Sequence, residues 1–494
     1  MFKTLKADAD CYINNRFING RICENSNCGQ AGTLDMYKLY GVSDSIEYSR
    51  ALIHFDLSPL FEAYESSSIN IDDPSFFVKM KISDVYGGQP TPERFNLKIN
   101  PLSASFLEGL GRDVIRYEDF DVSNFLTASR DSLGNPISWL QPGCSASGSI
   151  GEICDFFTGS FEKDVFFKTG EEDIDVDVTD VVKLMLRTEI PDSGFRISFS
   201  PENEEDNRTY FVKRFASRHA FDESKRPKLI FGYDDSIKDT SEFLYTDNQF
   251  SFVYYNLEGG ALKNLNYLGS DIEGDDCLLL KLTIPPSGAY YFTGSQVISG
   301  LNLSSGTYLA SGTIPYDSSF IVAQAISGSK WVKAKCEWIS LDENKIFAKL
   351  KDRIVLEKPT FESTPISREF TVTTLTESHY DINSNSLVRV NVFDPNSPAV
   401  IASRVGSPSP GGYQGVIEDA SYRVRDTVTN EILIPFDFEK HSTRLSSDSI
   451  GMFFHLDSSN LIKDRTYVID VALKIGSAIK THLATSSIFK ISVR

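Results

Sequence analysis

Short runs in which apolar and polar residues alternate constrain this chain more than any other feature of its sequence. In the run 49–58, successive side chains point to opposite faces of an extended strand. One face would carry Ala51, Ile53, Phe55 and Leu57, and the other Arg50, Leu52, His54 and Asp56. The habit recurs at 76–82, 95–99, 388–392 and 467–473, with Gly, Pro, Asn and Asp clusters between such runs. The pattern predicts an all-β fold.

The length and the polar breaks divide that fold. A chain of 494 residues exceeds what one hydrophobic core usually supports, and 35 Phe and 21 Tyr beside 5 Met favour strands. The polar run 234–239 and the proline after Glu357 mark two boundaries, and 407–412 is a predicted loop. We predict three consecutive β-sandwich domains: a jelly roll at 1–235, a second sandwich at 236–357 and an immunoglobulin-like sandwich at 358–494.

One stretch has helical spacing. Val178, Val181, Val182 and Met185 recur at positions i, i+3, i+4 and i+7. Asp177 precedes them as a candidate N-cap. We predict one short helix over 178–186 in the first domain, at the end of its sandwich.

The charge limits the partners. A net charge of −19 with a pI near 4.9 opposes nucleic-acid binding, which needs cationic groups. No run of about 18 apolar residues predicts a membrane span. The segment Met1–Asp8 becomes charged too early for a secretory signal. We expect synthesis in a cytoplasm and protein partners.

The cysteines and histidines give no strong site. The seven cysteines are an odd number, and Cys23 and Cys28 lack a second pair at zinc-ligand spacing, so thiols or a local disulfide compete with zinc there. The six histidines are dispersed, and no HExxH, GxSxG, P-loop or Rossmann motif occurs. We therefore predict no catalytic residues, no cofactor-binding residues, no cofactor and no enzymatic activity, although acids distant in sequence could still meet as a glycosidase pair.

Three aspartates are the weak metal candidates. Asp173, Asp175 and Asp177 would share one face of a strand at intervals of about 6.7 Å. One interpretation is that these aspartates bind calcium. The other is that they lie on a solvent-facing strand edge, where their charges discourage pairing with another strand.

Two further sets of residues have a ligand interpretation and a structural one. The arginines could hold a ligand carboxylate or internal acids, and the tryptophans could stack on sugars or pack in cores and interfaces. They are Arg50, Arg218 and Arg226, and Trp139, Trp331 and Trp338.

The first segment resembles the DNRLRE-type jelly roll, which is related to carbohydrate-binding modules of secreted bacterial proteins. Three groups of residues carry the resemblance: Asp8–Ile13 with Thr33–Leu34 and Ser49–Leu57; Ile174–Thr179 with Gly194–Ile197; and Phe215–His219 with Arg226–Ile230. It covers under half of the chain. The form with Arg-Phe-Ala-Ser-Arg-His and two further β modules is similar to virion proteins of tailed phages.

The resemblance implies a function. We expect a structural or accessory virion protein of a tailed phage, attached to the tail, neck or capsid. Its partners would be other virion proteins and copies of itself in a symmetric assembly, and a host surface glycan is a further candidate. The alternatives are an extracellular carbohydrate-binding or adhesion protein and, third, a polysaccharide-degrading tailspike, for which a long β-helical repeat is missing from the sequence.

Overall fold

The protein is built almost entirely of strands. The structure is a computed structural model that describes residues 1–18, 21–41, 45–66, 69–88, 90–112, 122–240, 243–259, 261–286, 288–299, 302–329, 331–357, 370–393, 417, 419–448, 451–475, 478–483 and 488–492. Strands account for 49% and helices for 9%. Several sheets form β-sandwich or barrel-like domains, so the all-β prediction is confirmed.

Two compact units make up the chain. The N-terminal unit comprises Phe2–Glu65 and Ile71–Gly232, and the C-terminal unit comprises Met1, Ser66–Asn70 and Tyr233–Arg494. The boundary predicted at 357/358 adjoins residues outside the described part, and the loop predicted at 407–412 lies wholly outside the described residues. The three-domain division stays a prediction.

The N-terminal unit contains these strands: β1 (Phe2–Asn14), β2 (Phe17–Ile18), β3 (Arg21–Ile22), β4 (Thr33–Tyr40), β5 (Ile46–Phe55), β6 (Phe77–Ile82), β7 (Phe95–Pro101), β8 (Thr127–Arg130), β9 (Pro136–Ser138), β10 (Ser147–Gly148), β11 (Phe156–Phe157), β12 (Lys163–Phe167), β13 (Ile174–Asp177), β14 (Phe195–Phe199), β15 (Tyr210–Ala216) and β16 (Lys228–Gly232). Its helices are α1 (Ser58–Glu65), α2 (Thr179–Leu186) and α3 (Pro201–Glu205).

Strand β1 joins the two halves of this unit's main sheet, whose order is β12-β7-β14-β5-β1-β16-β6-β13. Its first residues pair with β16 and its later residues with β5, and the register shifts between Ala7 and Ala9. A bulge bends a strand, so one long strand can turn from one layer to the next. Phe95 on β7 stacks on Phe167 of β12, with ring centroids 4.9 Å apart.

The prediction of one helix in the first domain was wrong, because the described residues of the N-terminal unit include three. Helix α2 begins at Thr179, one residue later than predicted, and its N-cap residue is Val178 instead of Asp177, without a side-chain cap. Asp177 Oδ1 instead accepts the backbone N–H of Thr179 at 2.9 Å. A Ser-Pro pair marks the start of both other helices: it forms the first two residues of α1, and the N-cap and first residue of α3. Neither helix buries more than one residue, so both lack the apolar periodicity that reveals α2.

The C-terminal unit contains these strands: β17 (Phe243–Tyr245), β18 (Gln249–Tyr255), β19 (Leu257–Glu258), β20 (Ala261–Leu262), β21 (Asn266–Tyr267), β22 (Ser270–Asp271), β23 (Leu278–Ile284), β24 (Gly288–Ser299), β25 (Asn302–Thr313), β26 (Trp331–Ile339), β27 (Ile346–Lys349), β28 (Arg353–Leu356), β29 (Thr371–Leu375), β30 (His379–Asp381), β31 (Asn385–Phe393), β32 (Asp419–Asp426), β33 (Ile432–Ile434), β34 (Ser446–Asp448), β35 (Gly451–Asp457), β36 (Thr466–Ile475), β37 (Ala478–His482) and β38 (Ile488–Ser492).

An eight-stranded sheet, in the order β17-β28-β26-β23-β24-β25-β18 with β27 on β26, surrounds an aromatic core in the first part of this unit. Trp338 is its largest fully buried side chain. Helix α4 (Ser318–Ser327), which the sequence analysis did not predict, packs Phe320 into that core. Asp317 caps it by accepting the N–H of Phe320 at 2.9 Å, and Gly328 ends it in the left-handed conformation.

Strands β19 and β20, and β21 and β22, form two-stranded sheets, and the strands from β29 onward form two larger sheets, β29-β31-β35-β34 and β30-β38-β36-β32-β33 with β37 on β36. Tyr422 of one sheet stacks on Phe454 of the other, with ring centroids 3.8 Å apart. Among the described residues, no helix is long and apolar enough to cross a membrane.

Candidate docking surface

An irregular segment covers one face of the main sheet in the N-terminal unit. We call residues 102–112 and 122–162, which lie between β7 and β12, the cover. Cys11, Ile13 and Leu52 of β1 and β5 pack directly against it. Its contributing side chains are Leu102, Phe106, Ala128, Trp139, Cys144 and Phe156. The strand face that carries Arg50 and Leu52 is therefore buried at these two residues, because a second layer lies on it.

Arg50 fastens the cover to the sheet from below. Its Nε and Nη2 donate to the two carboxylate oxygens of Glu204 at 3.2 and 2.8 Å. Its Nη1 donates to Gly143 O and Ser145 Oγ in the cover, each at 2.5 Å. A planar guanidinium can donate to a carboxylate and to a backbone carbonyl at once, so Arg50 of β5 is bonded both to Glu204 of α3 and to the cover.

Asp155 orders the loop at the outer surface of the cover. Its Oδ1 accepts the backbone N–H of Leu140 at 2.8 Å, and its Oδ2 accepts those of Gln141 at 3.2 Å and Ala146 at 2.9 Å. Trp139 donates its indole N–H to Asn124 O at 2.9 Å. These bonds, one buried and three partly buried, fix the backbone from which Leu140 projects.

Aliphatic side chains lie exposed on the outer surface of the cover. Ile153 is 90% exposed and Leu133 is 86% exposed, and Ile137, Leu140 and Ile150 are also exposed. Ile137, Leu140 and Ile153 line a groove of about 490 Å³. Exposed apolar side chains gathered around a groove mark an interaction site more often than chance exposure does.

Hydroxyl groups and a short strand border the same groove. Serines from the cover and the adjoining strand ends line it: Ser103, Ser105, Ser129, Ser138 and Ser193. Strand β9 pairs with β8, and in the described part of the chain it has no partner on its other side. An apolar groove next to an unpaired strand edge is suited to an extended segment of another protein. We call the groove, with β9 and its exposed aliphatics, the docking surface.

The predicted calcium candidates lie elsewhere. Asp175 and Asp177 are on β13, which pairs only with β6 among the described strands, and Asp173 precedes it. Asp173 Oδ1 accepts the N–H of Asp84 at 2.6 Å. The three carboxylates do not form a group of converging ligand atoms in the described structure. Calcium binding there stays a prediction.

The interpretation of the three arginines as internal ion pairs agrees with the structure for Arg50 and Arg218. Arg218 holds Glu108 in a two-bond pair, with Nε to Oε1 at 2.6 Å and Nη2 to Oε2 at 2.9 Å. Arg226 donates to Ala220 O at 2.9 Å and lies 3.8 Å from Glu223.

The tryptophans pack as expected for core residues. Trp139 and Trp338 are buried and Trp331 is half-buried. All seven cysteines are described and carry thiols rather than disulfides, and Cys23 and Cys28 are both buried.

Asn27 holds the cover in place and was not predicted from the sequence. Asn27 Nδ2 donates to Glu108 O at 2.7 Å and Ser123 O at 2.8 Å, and its Oδ1 accepts the N–H of Gly111 at 2.8 Å. Its partners lie more than 80 residues away, so no local pattern shows them.

Comparisons with known proteins add little. No family model matches the chain, and no curated protein matches it. Among solved structures, the chain is similar to the three N-terminal domains of the bacteriophage RB49 highly immunogenic outer capsid protein (Hoc). The identity is 9%, the TM-score is 0.14, and the match covers 53% of this chain and 59% of that chain. A TM-score of this size does not establish a shared fold.

Proposed function

We propose that the chain is a non-enzymatic structural or accessory protein of a tailed-phage particle that acts by docking. The observation that carries the docking proposal is the exposed aliphatic groove on a cover whose backbone is fixed by buried polar bonds. The assignment to a tailed phage comes from the sequence resemblance of residues 1–235, together with two further β-rich segments. Attachment to the tail, neck or capsid is part of the same proposal.

The partner is an extended segment of another virion protein. Such a segment would pair its backbone with the edge of β9 and place alternate side chains between Leu140 and Ile153. Hydroxyl groups at the rim can accept or donate hydrogen bonds where the partner's backbone turns away. Pre-ordering of the loop by Asp155 lowers the entropy lost on binding.

Substitution of the exposed aliphatics tests this proposal. In the double variant Leu140→Asp/Ile153→Asp, two charges replace apolar contacts, and binding to purified particles that lack the chain should weaken at least about 30-fold, as for one interface hot spot. Leu268→Asp is the matched control, because Leu268 is 86% exposed in the C-terminal unit. Co-sedimentation with particles measures the binding. Equal binding by both variants, or no binding by the unchanged chain, would contradict the proposal.

Carbohydrate binding has less support from the geometry. The sheet face over Cys11 and Leu52 lies under the cover, and Trp139 is 5% exposed at the groove floor. A sugar therefore lacks an open aromatic platform there. Low-micromolar glycan binding that persists in the double variant would favour the carbohydrate-binding alternative instead.

A further inference from the structure

Three potential metal ligands from distant parts of the sequence meet beside the cover. They are Asp10 on β1, Glu108 in the cover and His219 in the connection between β15 and β16. One ligand atom of each lies within 4.8 Å of the other two. His219 Nε2 is 3.1 Å from Glu108 Oε1.

Arg218 orients both carboxylates of this group. Its backbone N–H donates to Asp10 Oδ2 at 2.5 Å, and its Nη2 donates to Glu108 Oε2 at 2.9 Å. Its Nε also donates to Glu108 Oε1 at 2.6 Å. Carboxylates that ligate metals are commonly hydrogen-bonded in this way by outer groups that fix their direction.

The remaining oxygen of Asp10 has no partner among the residues that the structure describes. Asp10 is fully buried, and its Oδ1 makes no hydrogen bond to any of those residues. Burial, with the negative charge of Glu108, raises the pKa of Asp10 to about 7 against the opposing bond from Arg218. A buried carboxylate oxygen without a partner is costly, and a cation bound to it would remove that cost.

We propose that Asp10, Glu108 and His219 bind one first-row transition-metal dication of the Zn²⁺ class, through one carboxylate oxygen of each acid and one imidazole nitrogen, with water completing the coordination. Three protein ligands of mixed nitrogen and oxygen type suit such an ion. Calcium prefers six to eight oxygens, and an imidazole nitrogen is foreign to that set. When the ion binds, His219 exchanges its contact with Glu108 for a bond to the metal, while Arg218 keeps its hold on Glu108.

The proposal goes beyond docking because the ion would be a further attachment of the cover to the rest of the N-terminal unit, in addition to the hydrogen bonds of Arg50 and Asn27. The ion would join β1, the cover and the chain that leads into β16. Since it binds the folded state, it stabilises that state by RT ln(1 + c/Kd), where c is the free metal concentration, so the stabilisation grows with the logarithm of that concentration once it exceeds Kd. Metal binding should therefore slow hydrogen exchange in the cover.

The same unit contains a matched control site. His54 also lies between two carboxylates, but its Nδ1 faces Asp8 Oδ1 at 2.7 Å and its Nε2 faces Asp192 Oδ1 at 3.6 Å. The acids contact opposite ring nitrogens, so they do not converge on one point. His54→Ala removes the same type of side chain from this unit without touching the proposed ligands.

The test uses the full-length chain after removal of metals with EDTA, titrated with Zn²⁺, Mn²⁺ or Ca²⁺ in a calorimeter. We expect one Zn²⁺ per chain, bound more tightly than Ca²⁺. His219→Ala should weaken Zn²⁺ binding at least about tenfold, and His54→Ala should leave it unchanged. Failure of the unchanged chain to bind Zn²⁺, a preference for Ca²⁺, or equal affinity in His219→Ala would overturn the proposal.

A second measurement keeps the test independent of stability. Co²⁺ in place of Zn²⁺ should give visible absorption bands of low-coordinate cobalt in the unchanged chain and in His54→Ala. The bands should be lost or altered in His219→Ala, which circular dichroism verifies as folded. Identical cobalt spectra in folded His219→Ala and the unchanged chain would exclude His219 as a ligand and so refute the site.

Discussion

The two units bury their sheet faces in different ways. In the C-terminal unit, the eight-stranded sheet closes around aromatic and aliphatic side chains, with Tyr254 stacked near Trp338 at 5.9 Å. In the N-terminal unit, an irregular segment is fastened over a sheet by buried charged and amide groups, of which Arg50 and Asp155 are the clearest. An apolar core tolerates many arrangements, whereas directional polar bonds hold an irregular backbone in one position. Fastening by polar bonds, as in the N-terminal unit, therefore suits a surface that holds a loop in one position.

The largest effect should come from the apolar core. Trp338 is fully buried, and Gly294 faces it so closely that a Cβ there would lie 2.6 Å from the indole ring. Trp338→Ala should lower the free energy of unfolding of the C-terminal unit by about 3–5 kcal/mol, measured by urea denaturation with hydrogen exchange to locate the loss.

Trp338→Phe is the control for that change. The indole N–H of Trp338 is buried and has no hydrogen-bond partner in the described part of the chain, so a phenyl ring removes an unpaired donor as well as some volume. We expect a clearly smaller loss than with alanine. Equal losses of unfolding free energy from both substitutions would show that the volume of the Trp338 side chain does not determine the stability of this core.

The next effect tests the polar fastening. Arg50→Ala leaves Glu204 without its two-bond partner and Gly143 O without a donor, and should cost about 3 kcal/mol, as for a broken buried ion pair. Hydrogen exchange should rise across the cover and not in the sheet around Trp338. Arg187→Ala is the control, because Arg187 pairs with the exposed Asp72 and should cost less than about 1 kcal/mol.

A third prediction separates loop order from the stability of the whole unit. Asp155→Asn keeps the size of the side chain but replaces one acceptor oxygen with a donor that faces the N–H groups of Gln141 and Ala146. We expect a loss of about 2 kcal/mol and weaker docking, with Leu140 and Ile153 unchanged. Full docking by this variant would show that the order of the loop does not matter.

The sequence predicted the parts of this molecule that local patterns determine. Alternation in runs such as 388–392 predicts strands because successive residues of a strand face a core and solvent in turn. Helix α4 also has local signals in the sequence, because Asp317 caps its start and Gly328 ends it. It was nevertheless not predicted.

The docking surface could not be predicted in the same way. Leu140 and Ile153 are apolar residues that a sequence pattern assigns to a core, and their exposure follows from where the cover is fastened. That position depends on Asn27 and Glu108, whose contacts span more than 80 residues. The site proposed for Zn²⁺ joins residues 10, 108 and 219 and is equally invisible to any local spacing rule.

The smallest effect concerns a polar contact outside the cover. The hydrogen bond that His54 donates to the Asp8 carboxylate, with the charges of Asp8 and Asp192, raises the pKa of His54 above its ordinary value of 6.5 against the effect of burial. The folded state therefore binds the proton more tightly than the unfolded state. Stabilisation by His54 should be complete below pH 6.5 and disappear as the pH rises through the raised pKa of the folded state.

His54→Gln provides the measurement of that effect. The difference in unfolding free energy between the unchanged chain and His54→Gln should fall as the pH rises above 6.5 through the raised pKa of the folded state, by less than any loss predicted above. A difference that is flat or grows with pH would mean that His54 folds as the neutral imidazole, and that its contacts with Asp8 and Asp192 are ordinary hydrogen bonds rather than charge-assisted ones.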